Sequence, residues 1–188
     1  MMKHILSSLT CAAALCAAVP AQAALVTFDP GTSVFIEIDN ATGATRYDEA
    51  GFRFSAPGLE VAFLAQDGVG TAGSDALFLL AGNEIGFAAV DGGLFSLLGL
   101  DYRGDLLVDG FVGGVRTVSQ SLVSANTLTH FDFSSSWSSL SNVVFRVNAD
   151  SVIDSINAVP EPAGLALAAL GLLGLVAQRR CSRGHGRG

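Results

Sequence analysis

Between Ala24 and Ala158 the chain has no lysine and no cysteine, and its one histidine there is His130. The three cysteines of the sequence stand at positions 11, 16 and 181, so no disulfide can staple this stretch. A structural zinc site, which needs several cysteine or histidine ligands, is excluded with it. Stability has to come from a packed core. Positive charge is scarce too: five arginines (46, 53, 103, 116 and 146) stand against sixteen acids, a net charge of −11 for the segment. Such a surface excludes nucleic acid and anionic lipid as partners, and it fits plain solubility or divalent cations held by oxygen ligands. Aromatic residues with a polar rim are few, Tyr47, Tyr102 and Trp137 against twelve phenylalanines, a ratio that favours core packing over a sugar platform. No serine sits in a Gly-x-Ser-x-Gly elbow, and His130 has no nucleophile assignable to it, so no catalytic residue is named and the chain is expected not to be an enzyme.

What is present in quantity is apolar sequence, and its longest runs lie at the two ends. Lys3 and His4 precede an apolar stretch from about Ile5 to Val19, and Ala21-Gln22-Ala23 follows as a small-residue cleavage site. This is the pattern of a secretory signal peptide over residues 1–23, with Ala21 and Ala23 at the cut and Ala24 first in the mature chain. The stretch is shorter than the roughly 20 residues that cross a bilayer, and Pro20 ends it. Cys11 and Cys16 do not follow the Leu-small-small pattern of a lipoprotein signal.

The C-terminal end runs Val159-Pro160-Glu161-Pro162, then fifteen apolar residues from Ala163 to Ala177, then arginines at 179, 180, 183 and 187. At 1.5 Å per residue the apolar run gives roughly 22 Å of helix, which spans a core of about 30 Å with the help of flanking residues and arginine snorkelling. The arginines lie on one side only, which places the tail in the cytoplasm. Two prolines fix φ and push their predecessors into extended conformations, so Val159 to Pro162 is expected to be an exposed, extended segment that a protease cleft can take.

Pro160-Glu161-Pro162, the apolar helix and the arginine cluster, in that order at the C-terminus, resemble the PEP-CTERM sorting signal of Gram-negative bacteria. The resemblance covers about the last 30 residues. It implies handling by exosortase, a membrane-embedded cysteine peptidase that is thought to cut near the motif. By position, Pro160, Glu161 and Pro162 are then recognition residues, Ala163 to Ala177 the transmembrane helix, and Arg179 and Arg180 the retention signal. The implied organisation is a signal peptide (1–23), an ectodomain (24–158), a sorting signal (159–183) and a basic tail (184–188).

Inside the ectodomain, twelve short β-like runs are separated by Gly, Asp, Asn and Ser. They are Leu25–Phe28, Phe35–Ile38, Phe52–Phe54, Val61–Leu64, Ala76–Leu80, Ile85–Val90, Phe95–Tyr102, Leu106–Phe111, Val115–Val123, Thr127–Phe133, Val143–Asn148 and Val152–Ile156. Their spacing, with turn signals such as Asp67-Gly68, Gly82-Asn83 and Asp91-Gly92-Gly93, predicts an all-β fold, an antiparallel β-sandwich or jelly roll. Ser134 to Ser141 around Trp137 reads as a polar loop. Gly68-Val69-Gly70-Thr71-Ala72-Gly73 matches a dinucleotide fingerprint in letters only, because a strand follows it where a helix is required and Asp67 and Asp75 would repel a pyrophosphate.

The layout, opening on Val26-Thr27-Phe28-Asp29 and closing on Val143 to Val147 and Asp154-Ser155-Ile156, loosely resembles ectodomains that precede this sorting signal. Such domains are similar to carbohydrate-binding jelly rolls in which acids near the first and last strands can hold structural calcium. By position Asp29 and Asp154 are the candidates, set against two solvated strand-end aspartates, and no other cofactor is expected. The expected function is that of an exported surface protein, sorted by exosortase, with a structural or adhesive role in an exopolysaccharide or biofilm matrix. The alternative is a lectin-like carbohydrate-binding module, with or without calcium, using Trp137 or the Asp-rich loops; a glycoside hydrolase is more remote.

Overall fold

Alternation decides which residues go inside. In Phe52-Arg53-Phe54 and Phe145-Arg146-Val147 the apolar residues are buried and the arginines between them are half-exposed, as a period of two requires. In Ala76 to Leu79 both faces are largely covered, and the sequence there is continuously apolar. The computed structural model describes residues 22–28, 37–38, 45–56, 62–65 and 75–161. Among them are ten strands: β1 (Ala24–Val26), β2 (Glu37–Ile38), β3 (Thr45–Glu49), β4 (Phe52–Ala56), β5 (Ala62–Ala65), β6 (Ala76–Leu79), β7 (Glu84–Ala89), β8 (Phe95–Val112), β9 (Val115–Asp132) and β10 (Asn142–Pro160). A short 3-10 turn at Ser135–Trp137 is the helical element among the described residues.

Every pairing is antiparallel, and β10 is the strand on which the others converge. One edge of β10 runs along β8, from Asn142 opposite Phe111 to Pro160 opposite Phe95. Its other edge meets three strands in succession: β7 at Val143–Arg146, β6 at Ser151–Ile153 and β1 at Ile156–Ala158. The sheet continues from β7 through β4 and β3 to β2, from β6 to β5, and from β8 to β9. These branches enclose one apolar core, the interior of an antiparallel β-sandwich, with Phe87 near its centre. Phe87 stacks on Phe52 at 4.9 Å, lies 4.8 Å from Phe54, and meets Phe95 edge-on at 5.4 Å, the offset and T-shaped geometries that aromatic quadrupoles favour.

Three of the expected turns are bends within long strands. The two runs on either side of Gly104 form the single strand β8, those flanking Ala125–Asn126 form β9, and those flanking Ala149–Asp150 form β10. The ladders slip in register at these places, between Tyr102 and Gly104 and between Val147 and Val152, so the polar residues mark bulges that bend the sheet. Gly104 has φ of +117°, and a Cβ there would lie 2.7 Å from Ser151 Cα, so only glycine lets β8 pass β10 at the bend. Thr45–Glu49, which has no apolar alternation, is a strand because it pairs with β4 along its length. Ser134 to Ser141 is not wholly polar in its placement: Trp137 and Leu140 are buried.

Candidate functional site

Strand β10 does not stop where the ectodomain was expected to end. Beyond the buried Ala158, Val159 pairs with Ser96 and Pro160 with Phe95, and then Glu161 N–H donates to Leu94 O at 2.8 Å. Proline fits a strand end, since its fixed φ is compatible with extended backbone and its missing N–H leaves no donor unpaired. The Glu161 side chain turns to a second element. Its Oε1 accepts two hydrogen bonds from Ser139, from N–H and from Oγ, both at 2.8 Å.

Ser139 is held in place by its neighbours. Trp137 packs on Phe133 with ring centroids 4.4 Å apart, and Leu140 exchanges two backbone hydrogen bonds with Phe95, at 2.9 and 2.8 Å. Between these buried anchors Ser139 takes the left-handed conformation, φ +55°, which aims its N–H and hydroxyl together at one carboxylate oxygen. The described part of the Val159–Pro162 segment, residues 159–161, is therefore extended but half-buried and bonded on both sides, where full exposure was expected. Strand pairing and the Ser139 clamp outweigh what the prolines alone imply.

A second polar group lies where β8 meets β9. His130 Nδ1 is 2.5 Å from Asp101 Oδ1, directly opposite on β8, and Nε2 is 3.2 Å from Asp132 Oδ1. The hydrogen bond that the ring donates to Asp101 pushes the imidazole pKa up, with desolvation opposing and Asp132 adding to the rise. Both ring nitrogens are thus engaged by carboxylates. Alternation in His130-Phe131-Asp132 put these two side chains on one face, but the cross-strand Asp101 was not readable without the register. A third group surrounds Asp109, whose side chain is fully buried: Arg146 Nη1 lies 2.7 Å from its Oδ2 and Arg116 Nη1 3.6 Å, while Arg146 Nε also bonds Glu84 at 2.7 Å. Neither Asp109 oxygen receives a hydrogen bond of good angle, so the close Arg146 contact acts chiefly through charge.

Asp154 is buried, and its Oδ1 accepts the N–H of Ser155 at 2.6 Å. Asp29 lies outside the described residues, and among those described no group of three or more His, Cys, Asp or Glu is arranged to hold a metal ion. Trp137, Tyr102 and Tyr47 are all buried, so none of the three offers a face for a sugar to stack on. Ala23 is exposed just ahead of β1, whereas Ala21, Pro162, the run Ala163 to Ala177, Arg179 and Arg180 lie outside the described residues. No helix among the described residues is long and apolar enough to cross a membrane.

Comparison with curated proteins finds no match. Among solved structures the chain is similar to a family 29 carbohydrate-binding module, at 10% identity and a TM-score of 0.43 over 75% of this chain and 89% of that one. It is also similar to the CBM22-1 xylan-binding domain from Paenibacillus barcinonensis Xyn10C, at 13% identity and a TM-score of 0.34 over 76% and 96%. Likenesses at this level carry no statement about what the chain binds. A family-model match, to a protein-sorting motif, falls on the end of β10 and the sequence after it. Residues 158–180 are a PEP-CTERM protein-sorting motif.

Proposed function

We propose that the chain is an exported surface or matrix protein, sorted by exosortase through its C-terminal signal, whose β-sandwich serves a structural or adhesive role in an exopolysaccharide matrix with no reaction of its own. The match of residues 158–180 to the PEP-CTERM motif carries this proposal. A signal peptide over residues 1–23 and a C-terminal membrane helix over Ala163 to Ala177 complete the route: export, retention by Arg179 and Arg180, then processing. Two features of the ectodomain support a non-catalytic role. His130 has both ring nitrogens taken up by carboxylates, and Asp109, a fully buried acid at the β8–β10 ladder, is matched by arginine. Burial of Trp137 counts against the lectin-like alternative in its stacking form.

The test is expression of the full chain in a host with and without exosortase, followed by the C-terminal mass of the recovered protein. Loss of the peptide beyond the Pro160-Glu161-Pro162 region only when the enzyme is present is the expected result. An intact C-terminus in both hosts would overturn the proposal and leave Ala163 to Ala177 a permanent anchor.

A further inference from the structure

Glu161 is placed in two roles by two independent observations. It is the middle residue of the Pro160-Glu161-Pro162 triplet within the matched sorting motif, and it is the residue through which the end of β10 is fastened to the loop around Trp137. A peptidase takes its substrate as an extended segment whose main-chain groups are free to pair with the cleft. Here the segment is extended, but its groups are occupied: Val159 and Pro160 lie in register with Ser96 and Phe95, Glu161 N–H is given to Leu94, and the Glu161 carboxylate is held by Ser139. An enzyme cannot use these groups while β8 and Ser139 hold them.

From this geometry we infer that the folded ectodomain masks its own sorting motif, and that the end of β10 must peel away from β8 and Ser139 before exosortase can engage Pro160 and Glu161. This inference rests on the sorting function proposed above. The place where the strand would part is visible in the ladder. The β8–β10 register slips between Asn157 and Ala158, and Ala158 is fully buried, whereas residues 159–161 are half-buried. Opening beyond Ala158 therefore gives up three short hydrogen bonds at Glu161 and the last rungs of the ladder while leaving the core filled. Local openings of this kind, at element ends with little buried apolar surface, lie at the low end of a protein's opening free energies. Ser139 is then a positioning residue that sets how often the motif is available, and it touches neither the scissile bond nor the enzyme.

The inference is tested with the full chain and membranes containing exosortase, reading the rate at which the C-terminal peptide is lost. One variant closes the mask permanently: Ser96→Cys with Val159→Cys, facing residues in neighbouring antiparallel strands whose Cα separation suits a disulfide. Cys11→Ser, Cys16→Ser and Cys181→Ser are added to every chain so that the pair has no competitor. A second variant loosens the mask: Ser139→Ala removes one of the two bonds to Glu161 and keeps the main chain unchanged. The expected result is that the oxidised pair is processed at least tenfold more slowly than the parent, that reduction restores the rate with the parent unaffected by the same reductant, and that Ser139→Ala is processed about tenfold faster, the factor for one hydrogen bond to a charged acceptor. A parent that is processed equally fast with the strand end locked or free, or a Ser139→Ala chain no faster than the parent, would overturn the mask and leave the sorting function standing. A parent left intact by exosortase would overturn both.

Discussion

Glu49 carries more of the N-terminal strand than its position at the end of β3 suggests. Its Oε1 accepts Thr27 N–H at 3.1 Å and the Thr27 hydroxyl at 3.3 Å, while Oε2 accepts Phe28 N–H at 3.0 Å and the Tyr47 hydroxyl at 2.5 Å. Phe28, with φ of +56° and its ring 5.2 Å from Phe54, is buried with its N–H held by this carboxylate. Glu49→Ala strands two backbone donors in a partly buried site. At about 1.5 kcal/mol for each of the two shorter main-chain and phenol contacts, and less for the others, the loss sums to about 4 kcal/mol. Glu49→Gln, which keeps one acceptor oxygen and turns an NH2 group toward the other donors, should cost about 2 kcal/mol. Urea unfolding read by Trp137, the one tryptophan and a buried one, measures both, and with a slope of about 2 kcal/mol per molar the alanine variant shifts the midpoint by about 2 M. The decisive comparison is a double-mutant cycle with Tyr47→Phe, which alone should cost about 1 kcal/mol and clearly less once Glu49 is alanine. Additive costs in the cycle would refute the idea that Tyr47 and Thr27–Phe28 are joined through one carboxylate.

Two further perturbations follow from the structure. His130 has its pKa raised above the ordinary 6.5 in the folded chain, so its bonds to Asp101 and Asp132 stabilise fully below pH 6.5 and lose that contribution as the pH rises through the folded value. With the ring about half exposed, screening keeps the effect to about 1 kcal/mol or less; His130→Gln should flatten the unfolding midpoint across pH 6 to 9, and an unchanged slope would contradict the assignment. Gly104→Ala forces a Cβ onto Ser151 at a φ that L side chains rarely adopt, and should cost about 3 kcal/mol in the same unfolding experiment, with a loss under about 1 kcal/mol showing that the bend can relax.

Most strand positions were readable because short apolar runs with polar punctuation are the signature of a sheet, and Phe52, Phe54 and Phe145 announced their inward faces by alternation. Strand length was not readable. Arg103-Gly104-Asp105 and Asn148-Ala149-Asp150 have the composition of turns, and only pairing across β8, β9 and β10 shows that the chain bends there and continues. β3 was missed because Thr45-Arg46-Tyr47-Asp48-Glu49 owes its conformation to β4, a tertiary override of weak local preference. The sorting motif was readable as letters, since its order of parts is local in sequence. Its fastening was not, because Ser139 is one serine in a serine-rich stretch and lies 22 residues from the glutamate it holds. Asp101 and His130, 29 residues apart, were hidden for the same reason.

The strand that organises this sheet is also its last. β1, β6, β7 and β8 each pair with residues 142–160, so a chain made from its N-terminus presents these four strands before the one they share. Hairpins such as β3–β4 and β8–β9 can form on the way, being local, but the ladder that joins them cannot. Completion of the fold is thereby a clock: it strikes only when the residues adjoining the sorting motif have arrived, and a chain cut short before Asn142 leaves β1, β6, β7 and β8 without the ladder they share, although β4 still has β7 to pair with.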